Sequence, residues 1–294
     1  MSMLLFAAVQ AAAATPPSRP RTPSEIIAAA PRTAWQPIAA DDLLVIDYKG
    51  GGRTIVQLAP AFAPVHVANI QILARTGFWT GAAIYRVQDN YVAQWGSNDE
   101  DKPWPAGVVV APPAEYHRST AGLAITPFPY GDAYAPRAGH ALGWAMAYDP
   151  KSKSANLTHC YASVGVGRGL SPDTGTGGEL YAVIGHGPRH LDRNIALVGR
   201  VIEGIEQMSA LPRGTEALGF YKERSSDKPI ASAQLASALP AETRPAFEYL
   251  DEKSASFAAY VRARANRKDD FFIRPAGGAD LCNAPVPVRR VPAP

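Results

Sequence analysis

The chain has 294 residues, 47% of them apolar, and a formal net charge of +3. That length suits one large domain with an extension or two small ones, with enough apolar side chains for a packed core. The charge is too small to argue for nucleic acid or an anionic membrane as partner, and 27 prolines argue against a continuous helical bundle.

Met1–Ala14 (MSMLLFAAVQAAAA) reads as the apolar part of a secretory signal peptide, cleaved before Thr15, although no Lys or Arg precedes it. It is shorter than the roughly 20 apolar residues of a membrane-spanning helix. The sequence therefore predicts a periplasmic or otherwise exported protein without stable membrane insertion. Thr15–Arg21 is a Pro-rich linker, and Thr22-Pro23-Ser24-Glu25 is a capping box that opens a short helix through Ala30. Leu43–Tyr48 and Thr54–Leu58 read as a hairpin around Gly50-Gly51-Gly52. The spacing of Val65, Ala68, Asn69, Ile72 and Leu73 predicts a helix over 63–76, stopped by Gly77.

Gly77–Gly96 concentrates Arg86, Gln94 and the aromatics Tyr85, Tyr91 and Trp95. Asp89-Asn90 is a turn pair, and Tyr91–Trp95 a strand whose period of two puts Val92 and Gln94 on one face. That parity does not carry back across the turn to Arg86. Ser97–His140 is rich in Pro, Gly and Tyr, and Leu142–Tyr148 reads as a strand. Asp149–Gly178 reads as a long insertion: a polar run, an apolar patch over Leu157–Val166, then a Gly-rich turn. Within it Gly165-Val166-Gly167-Arg168-Gly169 fails the dinucleotide-binding fingerprint and reads as loop.

Leu180–Ile184 and Ala196–Val201 read as strands, Glu203–Ala210 begins a helix, and Pro212 closes that domain. Pro229–Ser237 reads as a further strand, Ser254–Arg267 shows helical spacing, and 285–294 reads as a loose tail. Arg262, Arg264, Arg267 and Lys268 lie beside Asp269-Asp270, which fits a solvated helix end better than a nucleic-acid patch. The two cysteines, Cys160 and Cys282, suggest a disulfide in an exported chain, with two unpaired buried thiols as the alternative. His186 and His190 have the spacing of helical metal ligands, but Gly185-His186-Gly187-Pro188 cannot be a helix interior. No metal or other cofactor is expected.

The run IYRVQDNYVAQWG resembles the signature of the cyclophilin family of peptidyl-prolyl isomerases, in which an aromatic-rich strand carries an arginine, an aromatic and a glutamine. Gly52–Leu58, with Ala63-Pro64, Asn69, Leu73 and Gly77-Phe78-Trp79, resembles the family's second strand and first helix. GELYAVIGHGPRHLDRNIALVGRVIEGIEQM (Gly178–Met208) resembles its second catalytic half. The resemblance implies a mainly β fold over 41–211, a closed eight-stranded antiparallel β-barrel capped by two helices. Signal peptide (1–14) and linker with short helix (15–40) would precede it, and a small α-containing extension (212–294) would pack on the barrel.

The same resemblance implies a monomeric enzyme that isomerises Xaa-Pro bonds in unfolded or proline-containing polypeptides, with no nucleic-acid partner. Arg86 would donate to the twisted imide nitrogen, and Gln94 would bind the substrate carbonyl and help hold the arginine. Tyr91, Val92, Tyr181 and Leu191 would form the proline-ring pocket, and Ala147 and Tyr148 would bind the peptide backbone. His190 stands where eukaryotic members often have the tryptophan that binds cyclosporin, which implies weak affinity for that drug. Tyr85 and Ile195 replace histidines, and Glu179 replaces a glutamine of the peptide groove. The rival expectation is a cyclophilin-fold binding module or chaperone that holds proline-containing segments without useful turnover.

Overall fold

The computed structural model describes residues 19–97, 99 and 101–292, so the expected signal peptide lies outside the described residues. The predicted capping box opens α1 (Pro23–Ala28): the Thr22 hydroxyl accepts from the Glu25 N–H, and the Glu25 carboxylate accepts from the Thr22 N–H. After β1 (Trp35–Pro37), β2 (Leu43–Tyr48) and β3 (Arg53–Leu58) form the predicted hairpin. Its turn, Gly50–Gly52, holds three consecutive positive φ values, a conformation only glycine adopts without strain. There follow α2 (Pro64–Arg75), β4 (Ala83–Val87) and β5 (Val92–Gly96).

Five strands come next: β6 (Arg118–Ser119), β7 (Thr126–Pro127), β8 (Arg137–Ala141), β9 (Trp144–Asp149) and β10 (Ser154–Leu157). The chain continues through β11 (Ser163–Val166), β12 (Leu180–Val183), β13 (Leu197–Glu203) and α3 (Glu206–Ser209). It ends with β14 (Lys228–Leu235), β15 (Phe247–Leu250), α4 (Ala255–Ala265) and β16 (Val288–Arg290).

Eight of these strands close into an antiparallel barrel in the order β11-β12-β5-β4-β14-β2-β3-β13, with β13 returning to β11. Alternate residues point inward, so Leu44, Ile46, Val56, Leu58, Ile84, Trp95, Val164 and Val198 share one core. Val67, Ile70 and Leu73 of α2 and Met208 of α3 join it. Each fully buried Leu or Ile contributes about 1.5–3 kcal/mol.

Three expectations need correction. The barrel does not end at Leu211: β14, between β4 and β2, lies inside the stretch expected to be an extension. The apolar patch over 157–166 is not all insertion, because Ser163–Val166 is the barrel strand β11. The last residues are not all loose, since Val288–Arg290 pairs with β15 and is held by ion pairs of Arg289 with Glu248 and Arg290 with Glu203.

Outside the barrel, β6-β10-β9-β8-β7 form a five-stranded sheet, and β1-β15-β16 a three-stranded one. Trp35, Leu250, Phe257, Tyr260 and Val261 pack with Phe128 and Ala138 of the five-stranded unit, so the two ends of the chain share one outer core. Cys160 and Cys282 form a disulfide across a separation of 122 residues. No helix among the described residues is long and apolar enough to cross a membrane.

Candidate active site

The hairpin of β4 and β5 carries the site, and its register explains why Arg86 could not be placed by parity. Ile84 faces Trp95, but Arg86 faces Gln94, so one extra residue, Tyr85, bulges out of β4. Without the bulge Tyr85 and Arg86 would point to opposite faces; with it both stay half-buried on the outer side while Ile84 and Val87 are buried. On β5 the predicted alternation holds, with Val92 and Gln94 facing the groove and Ala93 and Trp95 the barrel core.

The Arg86 guanidinium is fixed by three acceptors. Nε donates to the Leu218 carbonyl (2.7 Å), Nη1 to Gln94 Oε1 (2.8 Å) and Nη2 to Gln88 Oε1 (2.6 Å). Of its five N–H donors, one on each terminal nitrogen stays uncommitted. Its carbon lies 5.5 Å from the ring centre of Phe220, whose backbone also bridges to Arg86. Burial pulls the guanidinium below its usual range, partly offset by Tyr91, Tyr85 and Tyr181, so the charge persists at neutral pH.

Both ends of the Gln94 amide are engaged: Oε1 by Arg86, and Nε2 by donation to the Tyr85 hydroxyl at 2.9 Å. That hydroxyl also donates to Glu179. Tyr85 and Glu179, two of the departures from the family pattern, thus face each other and lock Gln94. Burial pushes the Glu179 carboxyl above the usual range, opposed by hydrogen bonds from Tyr85 and Gln94.

Beside Arg86 lies a hollow of about 390 Å³, lined by Tyr91, Val92, Tyr181, Leu191, Ile195 and Val166 among others. Of these, Val92 and Tyr181 pack in one cluster with the buried Val183, with Tyr91 and Ile195 against them. The Tyr181 ring lies over Gly165 of β11, where an added Cβ would sit 2.3 Å from the phenolic oxygen. Glycine there is a requirement of the pocket.

A buried polar chain holds the Tyr181 hydroxyl. It meets His159 Nε2 at 2.9 Å, and His159 Nδ1 faces Asp192 Oδ1 at 2.9 Å. Asp192 in turn accepts from Arg189 Nε (2.5 Å), and Arg189 Nη2 forks onto both oxygens of Asp132 (3.2 and 2.9 Å). Since Nδ1 faces a carboxylate it carries the proton, and in the neutral ring Nε2 accepts from the Tyr181 O–H.

The structure brings Arg86, Gln94, Tyr91, Val92, Tyr181 and Leu191 together at one hollow. His190 is exposed and stacks on Tyr91 with ring centres 6.4 Å apart, at the edge of the site. Ala147 and Tyr148 do not belong to it. They sit in β9, whose backbone is paired on one side with β8 and on the other with β10, leaving no free edge for a peptide. The segment that occupies the groove's side is instead Val166-Gly167-Arg168, at the end of β11, which glycine content disguised as a loop.

Leu218 and Phe220 also escaped the sequence reading, since their place beside Arg86 depends on contacts across more than 130 residues. Gln94, Gly167, Arg168 and Phe220 border a second, wider hollow of about 850 Å³ that also includes Tyr85, Glu179 and Trp104, so the groove runs on beyond the apolar pocket.

Residues 43–236 match the family described as "Cyclophilin type peptidyl-prolyl cis-trans isomerase/CLD". A Brucella suis biovar 1 protein named "Probable peptidyl-prolyl cis-trans isomerase" is 25% identical over 169 residues, covering 56% of this chain and 69% of that one. A Brucella abortus (strain 2308) protein of the same name is 24% identical over the same length, with the same coverage of both chains. Among solved structures, the cyclophilin AquaCyp293 from Hirschia baltica matches in fold with a TM-score of 0.68 and 22% identity, over 87% of this chain and 93% of that one. Because the family match runs over residues 43–236, well over half of the chain, the barrel, its bulged hairpin and the arginine-edged hollow belong to a member of the cyclophilin-type peptidyl-prolyl cis-trans isomerase family.

Proposed function

We propose that the groove accelerates rotation about Xaa-Pro bonds by hydrogen-bonding the twisted imide. The planar bond resists rotation by about 18–20 kcal/mol because the nitrogen lone pair is delocalised into the carbonyl. In the twisted state the lone pair returns to nitrogen and accepts a hydrogen bond, so a donor aimed there favours that state over either planar one. Arg86 keeps two N–H groups for this task while Leu218, Gln94 and Gln88 fix its fork. The proline ring would lie in the hollow against Tyr91, Val92, Tyr181 and Leu191. Gln94, engaged at both ends, acts as a positioning residue for Arg86. Substrates are proline-containing segments of unfolded polypeptides, and the apolar N-terminal run, MSMLLFAAVQAAAA, supports export to the periplasm.

One observation carries this reading: a charged, partly uncommitted guanidinium stands at the edge of an aromatic hollow. A charge-assisted hydrogen bond is worth about 1.5–3 kcal/mol, so Arg86→Ala should lower kcat/KM in a proline-isomerisation assay about 10–100-fold. Circular dichroism of the variant should match the parent. A well-folded Arg86→Ala protein with the parent rate would refute the assignment.

A further inference from the structure

A cavity of about 330 Å³ lies between β13, β9 and the C-terminal segment that carries β16. Its lining residues differ entirely from those of the isomerase groove. Leu157, Leu197, Trp144 and Val286 make its walls mostly apolar, and the Cys160–Cys282 disulfide borders it. Among the described residues, Arg200 of β13 is the single basic one lining it.

Arg200 lacks the partner its charge calls for. Nε and Nη2 share one neutral acceptor, Gln57 Oε1 (3.0 and 2.8 Å), and Nη1 reaches the Val286 carbonyl only at 3.5 Å. One face of the guanidinium rests 4.6 Å from the Trp144 ring centre. Glu252 is the carboxylate whose charge it feels, but Glu252 is occupied by the N–H groups of Leu142 and Gly143 (2.8 and 3.1 Å). Among the described residues Arg200 makes no ion pair. Two of its five N–H donors are left over. Burial pushes its pKa down to about 10, so it keeps its charge at neutral pH. A half-buried charge with only neutral partners is poorly compensated, and an anion entering the cavity would supply the missing partner.

We propose that this cavity is a binding site for a small amphipathic monocarboxylate, its carboxylate on Arg200 and its apolar body against Leu157, Leu197 and Val286. A single cation in an apolar chamber selects one negative charge on an apolar body; a phosphate dianion would bring a second charge with no partner. The volume falls at the small end of ligand pockets, about 300–1,000 Å³, which fits a medium-chain fatty acid and excludes a phospholipid.

The test is calorimetric titration of the full, disulfide-intact protein with decanoate, 1-decanol and decyltrimethylammonium, each kept below its micelle concentration. Decanoate should bind one to one, about 10–100-fold tighter than decanol, the factor a charge-assisted hydrogen bond supplies, with the cation weaker still. Arg200→Met, which keeps a straight stem over Trp144, should bind decanoate and decanol alike and isomerise proline peptides at the parent rate. Saturation of the groove with a proline peptide should leave the decanoate titration unchanged. Equal binding of decanoate and decanol by the parent protein, no binding of either, or displacement of decanoate by the peptide would overturn the proposal. The head-group series uses the parent protein alone, so it decides the matter even if the Arg200 variant does not fold.

Discussion

His140 is the residue whose protonation should most visibly loosen this fold in mild acid. It is fully buried in β8, with the rings of Phe128 and Phe257 at 5.8 and 4.8 Å, and its Nε2–H donates to the Ala284 carbonyl at 3.0 Å. Burial pushes its pKa down to about 4 from an ordinary value of 6.5. The unfolded chain therefore takes up this proton first. The stability tied to the neutral ring is intact above about pH 6.5 and lost as the pH falls through about 4.

At about 1.4 kcal/mol per unit the ceiling is about 3 kcal/mol, of which about 2 kcal/mol is gone at pH 5. Other groups titrate in the same range, so the comparison must be internal. Gln at position 140 can still donate to the Ala284 carbonyl but does not titrate. Urea unfolding of the parent and of His140→Gln at pH 7.5 and pH 5.0 should show the parent losing about 2 kcal/mol more than the variant. Equal losses in the two proteins would mean that the imidazole is not held neutral by its apolar surroundings, and the reasoning would fail.

Three further outcomes follow from the site and its supports. Tyr181→Phe removes the hydroxyl and leaves His159 Nε2 buried without its donor, which should cost about 1–3 kcal/mol in denaturant unfolding. A double variant with His159→Leu should show the two changes to be non-additive in a thermodynamic cycle. Glu179 has a raised folded-state pKa, so its favourable contribution is complete below the unfolded value and lost as pH rises through the folded one. Glu179→Gln should thus flatten the stability profile above about pH 4.5, and an unchanged profile would contradict the burial assigned to that carboxyl. Opening the Cys160–Cys282 loop by reduction should destabilise the protein by up to about 5 kcal/mol on chain-entropy grounds, read as a shift of the urea midpoint with and without phosphine.

The parts of the site legible in the sequence were those written locally. Tyr91-Val92-Ala93-Gln94-Trp95 declares a strand by alternation, and the structure keeps Val92 and Gln94 on one face. Arg86 was recognisable by its motif, but its orientation was hidden, because the bulge at Tyr85 exists only in the pairing of β4 with β5. Ser163-Val164-Gly165-Val166 concealed a barrel strand, since glycine is normally disfavoured in strands. Here it is needed to let the Tyr181 ring lie across the backbone. Ala147 and Tyr148 matched a familiar strand in composition, yet the neighbours that pair with them on both sides come from distant segments. Leu218 and Phe220 had no local signal at all, as their role comes from docking against Arg86.

The position of β14 also sets an order of events during synthesis. Leu235 pairs with Leu44, and Lys228 with Ile84, so two strands made early must wait for one made late. At about 5–20 residues per second, that wait is about 10–40 s for β2. Throughout it the nascent chain presents bare strand edges that could recruit the wrong neighbour. A ribosome stalled, or a gene cut, just after Leu211 would release a sheet that cannot become a cylinder. This member of the cyclophilin-type family is itself closed only by one of its last long-range pairings.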